Sequence, residues 1–377
     1  MDLKISVLDS ALHLPVISMT SANEYHANIE KMADLVDAEL SKNAGIGELI
    51  GYNSLSLMYD NHRYHVRCMS TIFRFNAYEL LAPVIVWLYR SYHLRGFSYK
   101  YFPVELRSWQ RAISDTLTPA AATEINQIYQ WMMDHHDSFI SLADSPDYQT
   151  LPATNNLHEM GETLLDLMLN SDYKSCLEFI TAFIHSPREL GDFYVDVLAP
   201  CLHKIGRLWE EGEISAAQEC LATAIATRVM SVMYSKFVLG AATKGRVLIM
   251  LAPNEEHAVG ARMFSDLLEM DGWQVENPGP QSTIDDILKI LREIKPHLLG
   301  ISVVIPYHID SVCQIISEIK KDSTLQNIKI WVGGLAFASS PELWRATGAD
   351  AYCADSREAV KLLADWWNRG EGKIHEE

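Results

Sequence analysis

The sequence predicts an all-helical N-terminal region followed by a parallel α/β sheet, and three observations carry that prediction. Apolar residues recur at helical spacing up to about residue 240. Beyond Gly240, short apolar runs with β-branched residues alternate with helical stretches. The 377 residues, 48% of them hydrophobic, suffice for two or three cores.

Taken in order, residues 24–145 read as helices, for example the run from Tyr78 to Tyr89, and the expected first domain spans 1–150. The polar stretch 145–156 carries Pro146 and Pro152 and reads as a linker. A second helical block over 155–240 has helix starts at Asn156, Ser171-Asp172, Ser186-Pro187 and near Glu213, which predicts a four-helix bundle. Residues 244–370 then give five strands: Arg246 to Ala252, 273–276, 298–304, 328–332 and 350–353. Helices over 257–270, 283–294, 308–321, 340–347 and 356–369 separate and follow them. Continuous apolar strands in β–α units mean a parallel sheet covered on both faces, a flavodoxin-like (Rossmann-like) domain. Ligands of such sheets bind outside the carboxyl ends of the strands, so the loops after strands one, three and four are the places to look. The C-terminal GEGKIHEE reads as a frayed tail.

Composition excludes several classes. The 49 acidic and 31 basic side chains give a net charge of −18. Residues 244–377 hold 14 basic and 20 acidic side chains, so −12 falls on residues 1–243. That balance argues against direct DNA binding, which needs clustered Lys and Arg, and against an anionic membrane surface. Neither a signal peptide nor a membrane-spanning apolar run is visible, which predicts a cytoplasmic protein. The six cysteines form no CxxC pair and read mostly as small buried residues.

Three loops carry chemistry. The first reads Pro253-Asn254-Glu255-Glu256-His257-Ala258-Val259-Gly260, the third strand ends in Ser302-Val303-Val304, and the fourth in Gly333-Gly334. Forty-one residues separate Gly260 from Ser302, and 28 separate Val304 from Gly333. This pattern is similar to the cobalamin-binding signature Asp-x-His-x-x-Gly, Ser-x-Leu (or Val), Gly-Gly, with Glu255 in the Asp place. The resemblance implies that cobalamin binds with its nucleotide tail drawn into the domain and His257 as the lower axial cobalt ligand. Glu255 would then accept a hydrogen bond from the other ring nitrogen. Gly260 would let the helix start approach the tail, Ser302, with Val304 in the same element, would offer its base a hydroxyl, and Gly333 and Gly334 would let it pass beside the backbone.

The helical block from Leu202 to Thr223 resembles the four-helix cap of methionine-synthase-like and light-sensing cobalamin proteins. In the light-sensing group the cap carries Trp, nine residues, then Glu-His. Trp209 and Glu219 stand at the Trp and Glu positions, and Cys220 replaces the His. The resemblance covers about 157 to 370. It implies that Trp209 shields the upper corrin face and that Glu219 holds an upper-ligand sugar or is simply solvated. Cys220 reads as a packed small residue rather than a thiol facing cobalt. Adenosylcobalamin photoreceptors break the cobalt–carbon bond in light, after which a cap histidine can take the vacant position. Glu210, which follows Trp209, and Cys220 are poor substitutes for that role.

In the first 145 residues, Lys100, Arg107 and Arg111 form no dense basic stripe. His62 and His65 lie three apart and His135-His136 end a helical run. A haem, bilin or metal site would use such residues, but no third ligand follows at regular spacing, which favours polar helix faces. Trp87, Tyr89, Tyr92, Tyr101, Phe102 and Trp109 read as core or dimer face.

The function expected is a cobalamin-binding sensor or regulator, responding to light or to cobalamin state (adenosyl-, methyl- or hydroxocobalamin). It would act through a protein partner or a homo-oligomer. The rival is a corrinoid methyl carrier of a methyltransferase system. A third reading is a scaffold that binds no corrinoid.

Overall fold

A computed structural model describes residues 3–145, 159–238, 242–280, 283–338 and 340–370. The chain divides into two compact units, residues 1–153 with 210–212, and residues 154–209 with 213–377.

The first unit is helical. It comprises α1 (Leu3–Leu12), α2 (Met19–Ala27), α3 (Ile29–Leu40), α4 (Ile46–Leu49), α5 (Leu55–Phe75), α6 (Tyr78–Leu94), α7 (Tyr101–Thr116), α8 (Pro119–Asp134) and α9 (His136–Ala143). Local chemistry sets several ends: the Ser18 and Ser54 hydroxyls accept the free backbone N–H groups that open α2 and α5, and Asn76 closes α5 in the left-handed conformation. Tyr89, Tyr92, Tyr101, Phe102 and Trp109 are buried in its core. The expectation of polar helix faces fails for α5. His62 and His65 are 0% and 4% exposed and each bonds a buried tyrosine. One helical turn apart, they share the inward face of a helix whose neighbours supply phenol partners. Among the described residues no group of three or more His, Cys, Asp or Glu could hold a metal.

The second unit opens with four helical stretches: α10 (Glu159–Leu169), α11 (Tyr173–Phe183), a long third and α14 (Ala216–Phe237). The third runs as α12 (Pro187–Phe193), a π turn over Tyr194–Leu198 and α13 (Ala199–Glu210). Asp172, Ser186 and Ser215 cap their helices, and Gln218 completes a capping box with Ser215. The expected linker beyond Ser145, the start at Asn156 and the tail after Gly370 lie outside the described residues. Cys176, Ile180, Leu198, Ile205, Met230 and Met233 pack the bundle core, and Met263 from the sheet domain joins them.

The sheet follows as β1 (Arg246–Leu251), α15 (Val259–Met270), β2 (Gln274–Glu276), α16 (Ile284–Ile294), β3 (Leu298–Ser302), α17 (Ile309–Lys321), β4 (Lys329–Gly333), α18 (Trp344–Thr347), β5 (Ala351–Cys353) and α19 (Ser356–Asn368). All pairs are parallel, in the order β2-β1-β3-β4-β5. That order reverses direction between β1 and β3, which opens a crevice at their carboxyl ends. Most bounds agree with expectation to within one residue, and three elements differ more. β3 stops at Ser302, because the N–H groups of Val304 and Ile305 turn to a carboxylate instead of β4. α15 begins at Val259, so His257 stands in the loop. The stretch 340–347 is a 3₁₀ turn over Pro341–Leu343 followed by α18.

Polar links tie bundle to sheet, two of them from the third helical stretch of the bundle. The buried Tyr194 hydroxyl donates to Asp266 at 2.8 Å, and Arg357 reaches both Asp192 and Asp196 at 2.9 and 2.6 Å.

Candidate functional site

The loop between β1 and α15 is organised by one carboxylate. Glu255 is 1% exposed and accepts the backbone N–H of Glu256 at 3.1 Å and of His257 at 3.2 Å. Its other oxygen accepts the N–H of Val304 and of Ile305, each at 3.0 Å. His257 Nδ1 forms a short hydrogen bond to Glu255. Five donors thus converge on one buried group. Burial alone would raise the Glu255 carboxyl. The His257 hydrogen bond, the Ile305 and Val304 amides and the His257 charge together hold it at about 2. His257 moves the opposite way, raised by its bond to Glu255 and opposed by burial.

With Nδ1 tied to Glu255, Nε2 is the nitrogen left for a ligand, and the side chain is 55% exposed. The Glu219 carboxylate adds to the field on His257, so the start of α14 lies within electrostatic reach of this loop. Sequence reasoning missed His308, a buried imidazole whose Nε2 is 4.0 Å from Glu255. It also missed the Val304 and Ile305 amides. Only the register of β1 against β3 brings them together, and that register is not written in local sequence.

The glycines have distinct reasons. A Cβ on Gly260 would meet nothing within 4 Å, so the first turn of α15 presents open space. A Cβ on Gly333 would stand 3.0 Å from the Cys353 carbonyl oxygen. At Gly334, φ is +106° and a Cβ would fall 2.2 Å from the Val303 oxygen. Gly334 is therefore required by the backbone itself. Ser302 pairs with Leu251 and Gly333 across the strand ends and is half-buried.

On the bundle, Trp209 is half-buried in the last turn of α13. Glu219 accepts from the Thr223 hydroxyl at 3.2 Å and from the Cys220 thiol at 3.5 Å. Cys220 corrects the expectation of a packed residue: it is exposed in the first turns of α14. The hydrogen bond to Glu219 and the Glu219 charge push its thiol up, so it stays a thiol near neutral pH. Of the six cysteines, expected to be mostly buried, only Cys68, Cys176 and Cys201 are, while Cys313 and Cys353 are half-buried.

Comparison with known proteins bears on this arrangement. Residues 245–364 match a family described as "B12 binding domain", and residues 160–234 match a second family of the same description. A dimethylamine corrinoid protein of Methanosarcina mazei is 25% identical over 166 residues, 43% of this chain and 76% of that protein. The HTH-type transcriptional repressor CarH of Myxococcus xanthus is 26% identical over 145 residues, 38% of this chain and 47% of that protein. The structure of a Methanosarcina barkeri monomethylamine corrinoid protein superposes with a TM-score of 0.48 at 18% identity, over 55% of this chain and 98% of that one.

Proposed function

We infer that this protein, which carries B12-binding domains over residues 160–234 and 245–364 and so binds cobalamin, is a sensor that passes the state of its cofactor to a protein partner. The observation that carries the reading is the helical unit before residue 153, with its own core, outside both matched segments. A group carrier needs only bundle and sheet. The partial similarity to a transcriptional repressor supports a regulatory role, and light is the proposed stimulus. The net −12 of residues 1–243 supports action through a protein instead of DNA contact.

The residues fit the cofactor. His257 offers Nε2 from a half-exposed ring held by a buried carboxylate, as metal-bound histidines require. Open space at Gly260 and the crevice between β1 and β3 would admit the nucleotide tail beside Ser302, Val304, Gly333 and Gly334. Trp209 and Glu219 would cover the opposite corrin face, with Cys220 beside them. Bound cobalamin supplies a cobalt centre whose upper bond can be made or broken. The chain's own part is to fix the His257 tautomer through Glu255, to exclude water with Trp209 and to hold an upper-ligand hydroxyl at Glu219.

The test is the absorption spectrum and oligomeric state of the full chain with adenosyl-, methyl- and hydroxocobalamin, dark and illuminated. A change on illumination that disappears in His257→Ala is expected. Identical spectra and oligomeric states in dark and light defeat the light-sensing reading.

A second reading, a corrinoid methyl carrier, is favoured by the similarity covering 76% of a dimethylamine corrinoid protein. It predicts transfer of the methyl group from the methylcobalamin-loaded protein to an acceptor by a methyltransferase partner. It also predicts no loss of that transfer when residues 1–150 are replaced by an unrelated domain.

A further inference from the structure

The helical unit encloses a polar centre that cobalamin binding does not use. On α5, His62 donates from Nδ1 to Asp37 at 2.5 Å and pairs through Nε2 with the Tyr101 hydroxyl at 2.7 Å. His65 Nε2 pairs with the Tyr129 hydroxyl at 3.0 Å, which in turn bonds the Tyr25 hydroxyl at 2.8 Å. Beside them on α7 stands Glu105, 3% exposed. Its Oε1 accepts the Trp109 indole N–H at 3.2 Å.

No hydrogen-bonding cation of the protein matches Glu105 among the described residues. The cation-capable nitrogen beside it is His62 Nε2, 4.0 Å away and engaged with Tyr101. His65, pushed down to about 3 by burial and by His62, is neutral. A carboxylate taken out of water without a partner is costly, and a proton or a cation must compensate. Directly against Glu105 lies a cavity of about 20 Å³, walled by His65, Tyr89, Tyr92, Phe102 and Met132, with aliphatic side chains such as Ile85 closing it.

We propose that this cavity is a binding site for the ammonium ion, with Glu105 as its countercharge. The volume holds one water-sized species, and ammonium has that size. Its four N–H donors call for separate acceptors in several directions. The wall includes the Glu105 carboxylate, Tyr92, the neutral His65 and aromatic rings, whose faces attract cations. A hard metal cation requires a shell of six or more oxygens, which this wall lacks. The alternative occupant is a water molecule beside a protonated Glu105, and the experiment separates the two.

The test is thermal unfolding of the full-length protein in ammonium chloride and in sodium chloride at equal ionic strength. A saturable rise of about 5 °C in ammonium over sodium is expected at a hundredfold excess over the half-saturating concentration. Glu105→Gln removes the countercharge and should abolish the difference. Ile85→Phe fills the cavity while keeping the carboxylate and should do the same. If Glu105→Gln fails to fold by circular dichroism, Ile85→Phe decides alone. Equal unfolding in the two salts, or an ammonium response that survives in the folded variants, overturns the proposal. The measurement needs no cobalamin, so its outcome is independent of the reading of the other unit.

Discussion

Glu255 stands where the cobalamin signature has aspartate, and the longer side chain explains the geometry around it. One carboxylate reaches the His257 ring and, across the crevice, the amides of Val304 and Ile305. Shortened by a methylene, it cannot span both. Glu255→Asp should therefore weaken cobalamin binding by roughly 10–100-fold, as loss of a ligand's supporting partner does, read by equilibrium titration of the cofactor. Charge matters separately. Because Glu255 raises His257, a proton competes for the imidazole at higher pH than it would for a free histidine. In Glu255→Gln the acid midpoint for loss of histidine coordination, followed by absorption, should move to lower pH. Gly334 gives a third residue-scale outcome. Gly334→Ala places a methyl against the Val303 carbonyl at positive φ and should cost about 1–3 kcal/mol in urea unfolding. The sequence made this loop legible because Glu255, His257 and Gly260 lie within six residues of one another. It could not reveal His308, 51 positions from His257, or the inward turn of His62 and His65. Asp60, Asn61 and Arg63 beside the latter two carry the polarity of a solvated face.

Among the elements, α15 joins the His257 loop to the bundle. It starts two residues after His257 and presents Arg262, Asp266 and Glu269 to Ser231, Tyr194 and Tyr234. Burial pushes the Asp266 carboxyl up to about 6, and the Tyr194 hydrogen bond only partly opposes this. A carboxyl whose folded pKa is raised contributes fully below its unfolded value near 4. That contribution is lost as pH rises through about 6. Asp266→Asn, which still accepts from Tyr194, should raise the unfolding temperature at pH 8 and change little at pH 4. The gain expected is about 1–3 kcal/mol. Equal effects at both pH values would refute the assignment. Element order was readable from periodicity because the central strands β1 and β3 are nearly continuous apolar runs set between helical stretches. Exact ends were not: a carboxylate takes the backbone donors just beyond the end of β3 and just before the start of α15.

For the whole molecule, no helix among the described residues is long and apolar enough to cross a membrane. The succession of five strands and the helical bundle before it followed from the change of hydrophobic period, a signal that extends over many residues. What the first unit does was not legible, because its polar groups meet inside a core and no spacing rule reports that. If it transmits cofactor state, hydrogen exchange of residues 1–145 should differ between the apo and cobalamin-loaded full chain. Unchanged protection throughout that unit would leave the sensor reading without a receiver.

The π turn over Tyr194–Leu198 keeps a phase. An α-helix advances 100° per residue, and the π turn takes one extra residue into a single turn, so the residues after it keep the directions they would have without it. Tyr194, fixed on Asp266, and Trp209, fifteen residues on, lie on opposite sides of this step. Deleting one residue within the turn would leave both ends helical and the bundle the same length to within about 1.5 Å. It would also leave Trp209 pointing the same way, because the turn closes to α geometry, whereas a deletion along α13 would swing the indole by about 100°. The π turn is thus a place where this helix can lose a residue without redirecting that indole.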